Sequence, residues 1–216
     1  MKIPFLPLAV LAVSAVFTGS AFADTPGVSF TAPGTTTNNT DGFSIGYAFT
    51  TLFDTNVTAL GYYDNGGLRE AHQVGLFDGT GALLASTTIT GNGTQVGFFN
   101  FNSITPILLA AGGEYEVEGT SGVIDNYTFN TVDFTVEPTI GFVLDTFALG
   151  NTLQFAISST GITASAGGGI FGANFETDST AVAVTPEPSS LMLFSTGFLG
   201  LAGVVRRRFL AWDGPR

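Results

Sequence analysis

Few residues in this chain are equipped for chemistry. It carries one histidine, His72, and no cysteine. A catalytic base or metal centre works through partnered groups, and no second imidazole or thiol is on hand. Glu70 and Asp78 lie near it in sequence, but His72 reads first as a strand histidine satisfied by its neighbours. The carboxylates offer more. Glu114, Glu116 and Glu118 alternate with Tyr115 and Val117, which puts all three on one strand face, ~7 Å apart at ~3.3 Å per residue. Such a comb supplies the oxygen ligands that Ca²⁺ takes. The simpler expectation is the wet face of an edge strand, where charge discourages pairing with a neighbour. Asp64-Asn65-Gly66-Gly67 is likewise a turn before it is a metal loop, because the full spacing of a helix-loop-helix Ca²⁺ site is missing. No acid stands in a distinctive motif, and neither a Gly-x-Ser-x-Gly elbow nor a phosphate loop occurs. Glycosidase-type paired carboxylates are defined by separation in space, which sequence spacing does not give. Tyr62 and Tyr63 are the one adjacent aromatic pair suited to stacking on a sugar, with core or rim positions as the competing assignment. The single tryptophan, Trp212, lies near the C-terminus. No catalytic, cofactor-binding or metal residue is therefore assigned.

The elements that would carry these residues read as all-β. Phe, Val, Ile, Thr and Tyr are plentiful, glycines recur at short intervals, and no long segment has a 3.6-residue period. Strands are expected at Val28–Thr31, Phe43–Phe49 and Thr55–Tyr63, with Thr35–Thr40 as a polar loop. His72–Phe77 and Ala82–Ile89 flank Asp78-Gly79-Thr80-Gly81 as a hairpin. Further strands are expected at Gln95–Phe101, Ile107–Leu109, Glu114–Gly119, Thr139–Val143 and Leu153–Ser158. Strands every 8 to 15 residues with Gly/Asp/Asn turns predict a two-sheet, jelly-roll-like sandwich. No internal repeat points to a propeller or solenoid.

Both ends read as addresses. Lys2 followed by apolar Ile3–Phe17 has the form of a signal peptide, residues 1–23. Ala21-x-Ala23 fits signal peptidase cleavage before Asp24. At the other end, Pro186-Glu187-Pro188 precedes an uncharged run of 17 residues, Ser189–Val205, and then Arg206-Arg207-Arg208. As a helix that run covers ~25 Å, near the lower limit for a bilayer core. The arginines hold the far end in the cytoplasm, so the preceding chain is expected outside the inner membrane. The prolines keep the Glu187 region extended. Between the two addresses lie a domain at 24–176 and a linker at 177–185, and residues 209–216 form a cytoplasmic tail. From Asp24 to Thr185 there are 15 acids against one base, Arg69, or 14 net negative charges. That balance argues against nucleic acid and anionic lipid surfaces as partners and favours solubility. Without cysteine, packing alone must hold the exported domain.

The tripartite stretch Val184–Arg208 resembles the PEP-CTERM sorting signal of Gram-negative bacteria that make extracellular polysaccharide. The resemblance implies an exosortase substrate. Pro186, Glu187 and Pro188 would be the recognition element, and Arg206, Arg207 and Arg208 the retention charge. The tail Phe209–Arg216 is longer than the abrupt end usual for such signals. A second resemblance covers roughly Phe43–Gly119, through Val57–Tyr63, His72–Asp78 and Gly81–Ala85. This stretch is similar to an uncharacterised exported β-sandwich domain of bacterial surface proteins, which implies a non-catalytic module without an established ligand. The expectation is a non-enzymatic surface or matrix protein associated with exopolysaccharide. The runner-up is a carbohydrate-binding module using one sheet face, and the third reading is a hydrolase with paired acids.

Overall fold

The computed structural model describes residues 24–38, 41–156 and 169–178. Every regular element among them is a strand. In chain order these are β1 (Thr25–Pro26), β2 (Val28–Ser29), β3 (Thr35–Thr37), β4 (Phe43–Thr51) and β5 (Thr55–Tyr63). The chain continues with β6 (His72–Asp78), β7 (Leu83–Ile89), β8 (Thr94–Val96), β9 (Phe99–Leu109) and β10 (Glu114–Thr120). It ends with β11 (Tyr127–Phe129), β12 (Thr135–Val136), β13 (Ile140–Leu149), β14 (Ile170–Phe171) and β15 (Ala173–Asp178).

Two five-stranded sheets dominate, ordered β1-β15-β5-β9-β8 and β13-β4-β10-β6-β7. Every strand pairing within them is antiparallel. Counting β1, β4, β5, β6, β7, β9, β10 and β15 as first to eighth, one sheet runs 1-8-3-6 and the other 2-7-4-5. That interleaving is the double Greek key of a jelly roll. β13 and β8 extend one edge of each sheet, and two small ribbons, β14-β11-β3 and β12-β2, close the ends.

The core is aromatic, as a phenylalanine-rich chain without disulfides requires. Phe49 stacks on Phe175 at 4.6 Å between ring centres, and Phe30 packs on Phe98 at 5.3 Å and on Phe171 at 5.7 Å. One polar group sits inside this cluster. The Asn174 side chain takes the Tyr47 hydroxyl at 2.9 Å and the Val28 N–H at 3.2 Å, and donates to the Val28 carbonyl at 2.9 Å. It thereby fastens β2 across β15 with both the oxygen and the nitrogen of its amide hydrogen-bonded.

Several sequence expectations hold. β4 carries Ile45, Tyr47 and Phe49 on one buried face, β5 has the expected limits, and the β6–β7 hairpin closes with the Gly81 N–H on the Asp78 carbonyl at 2.9 Å. Others need correction. Thr35–Thr37 is a strand, because β11 supplies its pairing partner. The Gln95–Phe101 strand breaks at Gly97 into β8 and β9, and Ile107–Leu109 is the end of the long β9. Leu153–Ala156 is irregular chain, and Ile157 and Ser158 lie outside the described residues. β15 pairs with β5 through Asp178, two residues past the expected end of the domain.

The second sheet is covered on both sides. Leu153 lies over Gly75 and Phe155 over Gly81, where an added Cβ would come within 2.8 and 2.9 Å of their side chains. Gly46 is tighter, since its Cβ would fall 1.7 Å from the Val117 carbonyl oxygen of β10. Backbone rather than a movable side chain fills that space. Gly46→Ala is therefore expected to destabilise the domain by about 3 kcal/mol or more, read as a lowered urea midpoint with an unchanged slope. A midpoint equal to wild type would show that the β4–β10 contact is looser than described.

Candidate functional site

A cavity of about 310 Å³ opens where β5 ends. Thr36, Asp64, Asn65, Arg69, Asp125 and Asn126 give it a polar lining, and Tyr63 and Leu68 supply its apolar wall. Three chain segments meet there: the turn after β5, the loop between β10 and β11, and β3. The turn is built as its sequence predicts, with Asp64 accepting the Gly67 N–H at 2.7 Å.

A knot of charged and polar side chains fixes the cavity's wall. Asp125 Oδ2 accepts the backbone N–H of Arg69 at 2.7 Å and of Glu70 at 2.9 Å, and it faces His72 Nε2 at 3.2 Å. Its Oδ1 accepts from Arg69 Nε at 3.0 Å. Glu70 answers from the other strand end, where its Oε1 takes the N–H groups of Val123, Ile124 and Asp125. His72 donates through Nδ1 to the Thr120 carbonyl at 2.7 Å, since a carbonyl only accepts. The Tyr62 ring stacks on that imidazole, 3.8 Å between centres and 5° from parallel. Burial pushes the Tyr62 hydroxyl well above its usual value, and Asp125, Glu70 and Tyr127 push it further. Burial also pushes Asp125 up, but the donors of Glu70, Arg69 and His72 outweigh it and leave that carboxyl below its usual range.

His72 is thus the satisfied strand histidine that was expected. Glu70, His72 and Asp125 do bring one ligand atom each within 4.8 Å of the others. Both Asp125 oxygens and Glu70 Oε1 are already engaged by protein donors, so the group acts as a clasp between the turn and the loop.

The glutamate comb is corrected. β10 is the middle strand of its sheet, not an edge, and only Glu114 faces water. Glu116 and Glu118 are fully buried beneath the segment that follows β13. The Ala156 N–H donates to Glu116, and the hydroxyls of Ser44 and Thr146 donate to Glu118. Burial raises the Glu118 carboxyl well above its usual range, and the neighbouring Glu116 adds to that. Tyr62 and Tyr63, 0% and 2% exposed, are core residues and present no platform to a sugar. Sequence reasoning missed Asp125 and Asn126, which follow β10 in an unremarkable loop. Their one signal is that a jelly roll gathers alternate loops at each end of the sandwich. Ala21, Ala23, Pro186–Pro188, the apolar span 189–205 and Arg206–Arg208 lie outside the described residues; Asp24 is exposed.

Fold and cavity define a jelly-roll module with a small polar cleft at one end. Residues 30–180 match the family described as a domain of unknown function (DUF4082), and the chain belongs to that family. Residues 184–208 match the PEP-CTERM protein-sorting motif. The protein is accordingly an exosortase substrate, exported as a membrane-anchored precursor and processed to the cell surface. The motif implies the C-terminal transmembrane helix, and the domain ahead of it is the uncharacterised one anticipated from Phe43–Gly119. No curated protein matches this chain.

Two outcomes are expected of the clasp and the buried acids. Asp125→Ala strips the acceptor from two backbone N–H groups and from His72, and should cost about 3 kcal/mol of stability; a loss under 1 kcal/mol by urea denaturation would remove the clasp from the account. The second concerns pH. Glu118, Asp145 (about 6) and Glu176 (about 7) hold their protons more tightly folded than unfolded, in each case mainly through burial. Their stabilisation is complete below the unfolded carboxyl range and is lost as pH climbs through the folded values. Asp125 and Asp78, both lowered, work oppositely and lose theirs as pH falls. Tm should peak at about pH 5 and decline toward pH 8, and Glu118→Gln should flatten that decline. A wild-type Tm at pH 8 equal to or above that at pH 5 contradicts this.

Proposed function

We propose that the protein is a non-enzymatic surface or matrix component that associates with exopolysaccharide. Signal peptidase cuts after Ala23, and residues from Asp24 onward fold on the periplasmic side while Arg206–Arg208 stay in the cytoplasm. Exosortase then reads Pro186-Glu187-Pro188 and releases the domain from its inner-membrane anchor. The observation that carries this reading is the match of residues 184–208 to a sorting motif, only six residues beyond the last described strand.

The non-catalytic part rests on the state of the acids. Glu116 and Glu118 touch one another under cover, too close and too dry to flank a glycosidic bond and a water. The carboxylates at the cleft, Asp64 and Asp125, already accept protein donors. The charge balance supports the same role, because one base among 15 acids keeps copies apart in a hydrated matrix. A carbohydrate-binding module remains the second reading, moved from the tyrosines to the cleft.

The test is intact mass and location of the mature protein in its native host, wild type beside Glu187→Ala. Wild type should begin at Asp24, end near Pro186–Pro188 and leave the inner membrane; the variant should stay there at full C-terminal length. If both kept the helix and fractionated equally with the membrane, exosortase release would be lost from the account.

A further inference from the structure

The geometry points to the cleft at Asp64–Arg69 as a binding site for a neutral saccharide unit at the end or branch of a polysaccharide, not in the middle of a chain. This rests on the polysaccharide association proposed above and adds where contact is made and with what.

Size sets the first limit. A volume of about 310 Å³ stands at the bottom of the ~300–1,000 Å³ range of small-molecule sites, room for a sugar unit or two. Chemistry sets the second. Asn65 and Asn126 are exposed amides, each offering a donor and an acceptor side by side. Neighbouring hydroxyls of a pyranose are also donor and acceptor, so a planar amide can engage both at once. The Thr36 hydroxyl and the Arg69 guanidinium, 63% exposed, add to the rim. Gly66 and Gly67 have φ of +122° and +98° with nothing within 4 Å of an added Cβ, which leaves the backbone open to close approach.

Other ligand classes fit worse. An apolar ligand finds only Tyr63 and Leu68 as wall. An anion meets Asp64 and Asp125 against a single cation that Asp125 already holds. A divalent cation finds both Asp125 oxygens and Asp64 Oδ1 occupied by protein donors. A neutral polyhydroxyl group remains.

Topology selects an end over an interior. A polymer running across the second sheet would need its outer face open, and that face is covered by the chain through Leu153–Ala156. The cleft instead lies at the loop end of β5. Asp178, where the described domain ends, pairs with Asn56 at the opposite end of that strand. Asn56 stands seven residues before Tyr63 at the cleft, ~23 Å of strand.

The test uses the mature protein isolated from the host and its purified exopolysaccharide, intact or cut to short oligosaccharides by limited acid hydrolysis. Titration calorimetry should give more sites per gram of sugar after hydrolysis, in proportion to the new ends, and the same affinity in EDTA. Asn65→Ala/Asn126→Ala should lower affinity at least tenfold with Tm unchanged, while the remote Glu114→Gln should match wild type. Wild-type affinity in the double variant would overturn the cleft and leave polysaccharide association standing. Equal sites per gram before and after cutting would overturn end recognition, and loss in EDTA would overturn direct contact with sugar. If wild type bound neither preparation, the association itself would fall with the site.

Discussion

One constraint governs this domain: it must place 15 acids with one arginine to answer them. Ion pairing cannot do it, so N–H and O–H groups take over. Glu70 gathers three backbone N–H groups, Asp125 two more, and Asp145 the N–H of Ile170. Asp54, Asp64 and Asp78 accept N–H groups in turns. Each such acceptance satisfies a backbone donor that a loop would otherwise leave idle. The acids are thus loop fasteners, and the tight ends of the jelly roll, including the cleft, depend on them. Where burial is complete, as at Glu118, only hydroxyls and a second acid are at hand, and burial holds the carboxyl well above its usual range.

The same constraint explains what the sequence revealed and what it hid. The β5 limits, the Asp78 turn and the Asp64 turn were legible because their signals are local: alternating apolar residues, Gly at tight corners, Asx side chains capping their own backbone. Glu114–Glu118 misled because alternation shows that three acids share a face and is silent on whether that face is wet. The covering chain, Leu153–Ala156, is about 40 residues away and looks like a strand in its own right. Its role depends on Gly75 and Gly81, which read as strand and turn glycines but serve as seats for Leu153 and Phe155. Asp125 was equally hidden. Its partners Arg69, Glu70 and His72 are more than 50 residues upstream, and nothing in Ser121–Asn126 announces a clasp.

Tyr62 and Tyr63 show how the same blindness affects the site. Adjacent residues on a strand face opposite ways, so one of the pair could have faced water had the sheet been single-sided. Tyr62 instead stacks on His72, and Tyr63 packs against Phe30 and Phe99 while its edge reaches the cleft. Burying both rings removes the broad aromatic platform that would hold a polymer flat. It also stiffens the last residues of β5, from which the Asp64–Gly67 turn departs. The residues that looked like ligand contacts are the footing of the turn that carries the proposed contacts.

That footing bears on what kind of grip the cleft can have. Asn65 and Asn126 are exposed and mobile in principle, and an amide that must be ordered on binding loses affinity to entropy. Here each stands beside a fixed point: Asn65 follows Asp64, tied to Gly67 and by its carbonyl to Gln95, and Asn126 follows Asp125 in the clasp. The backbone under both amides is therefore set before a ligand arrives, and only side-chain rotation remains to be spent. With a small polar cleft and little apolar contact, a single engagement is weak, and a tethered or matrix-bound population would hold polymer through many such contacts. A weak, end-directed grip repeated over many copies suits a chain whose 14 net negative charges keep neighbours dispersed. In the proposed association, the charge that keeps copies apart would leave the polysaccharide to join them.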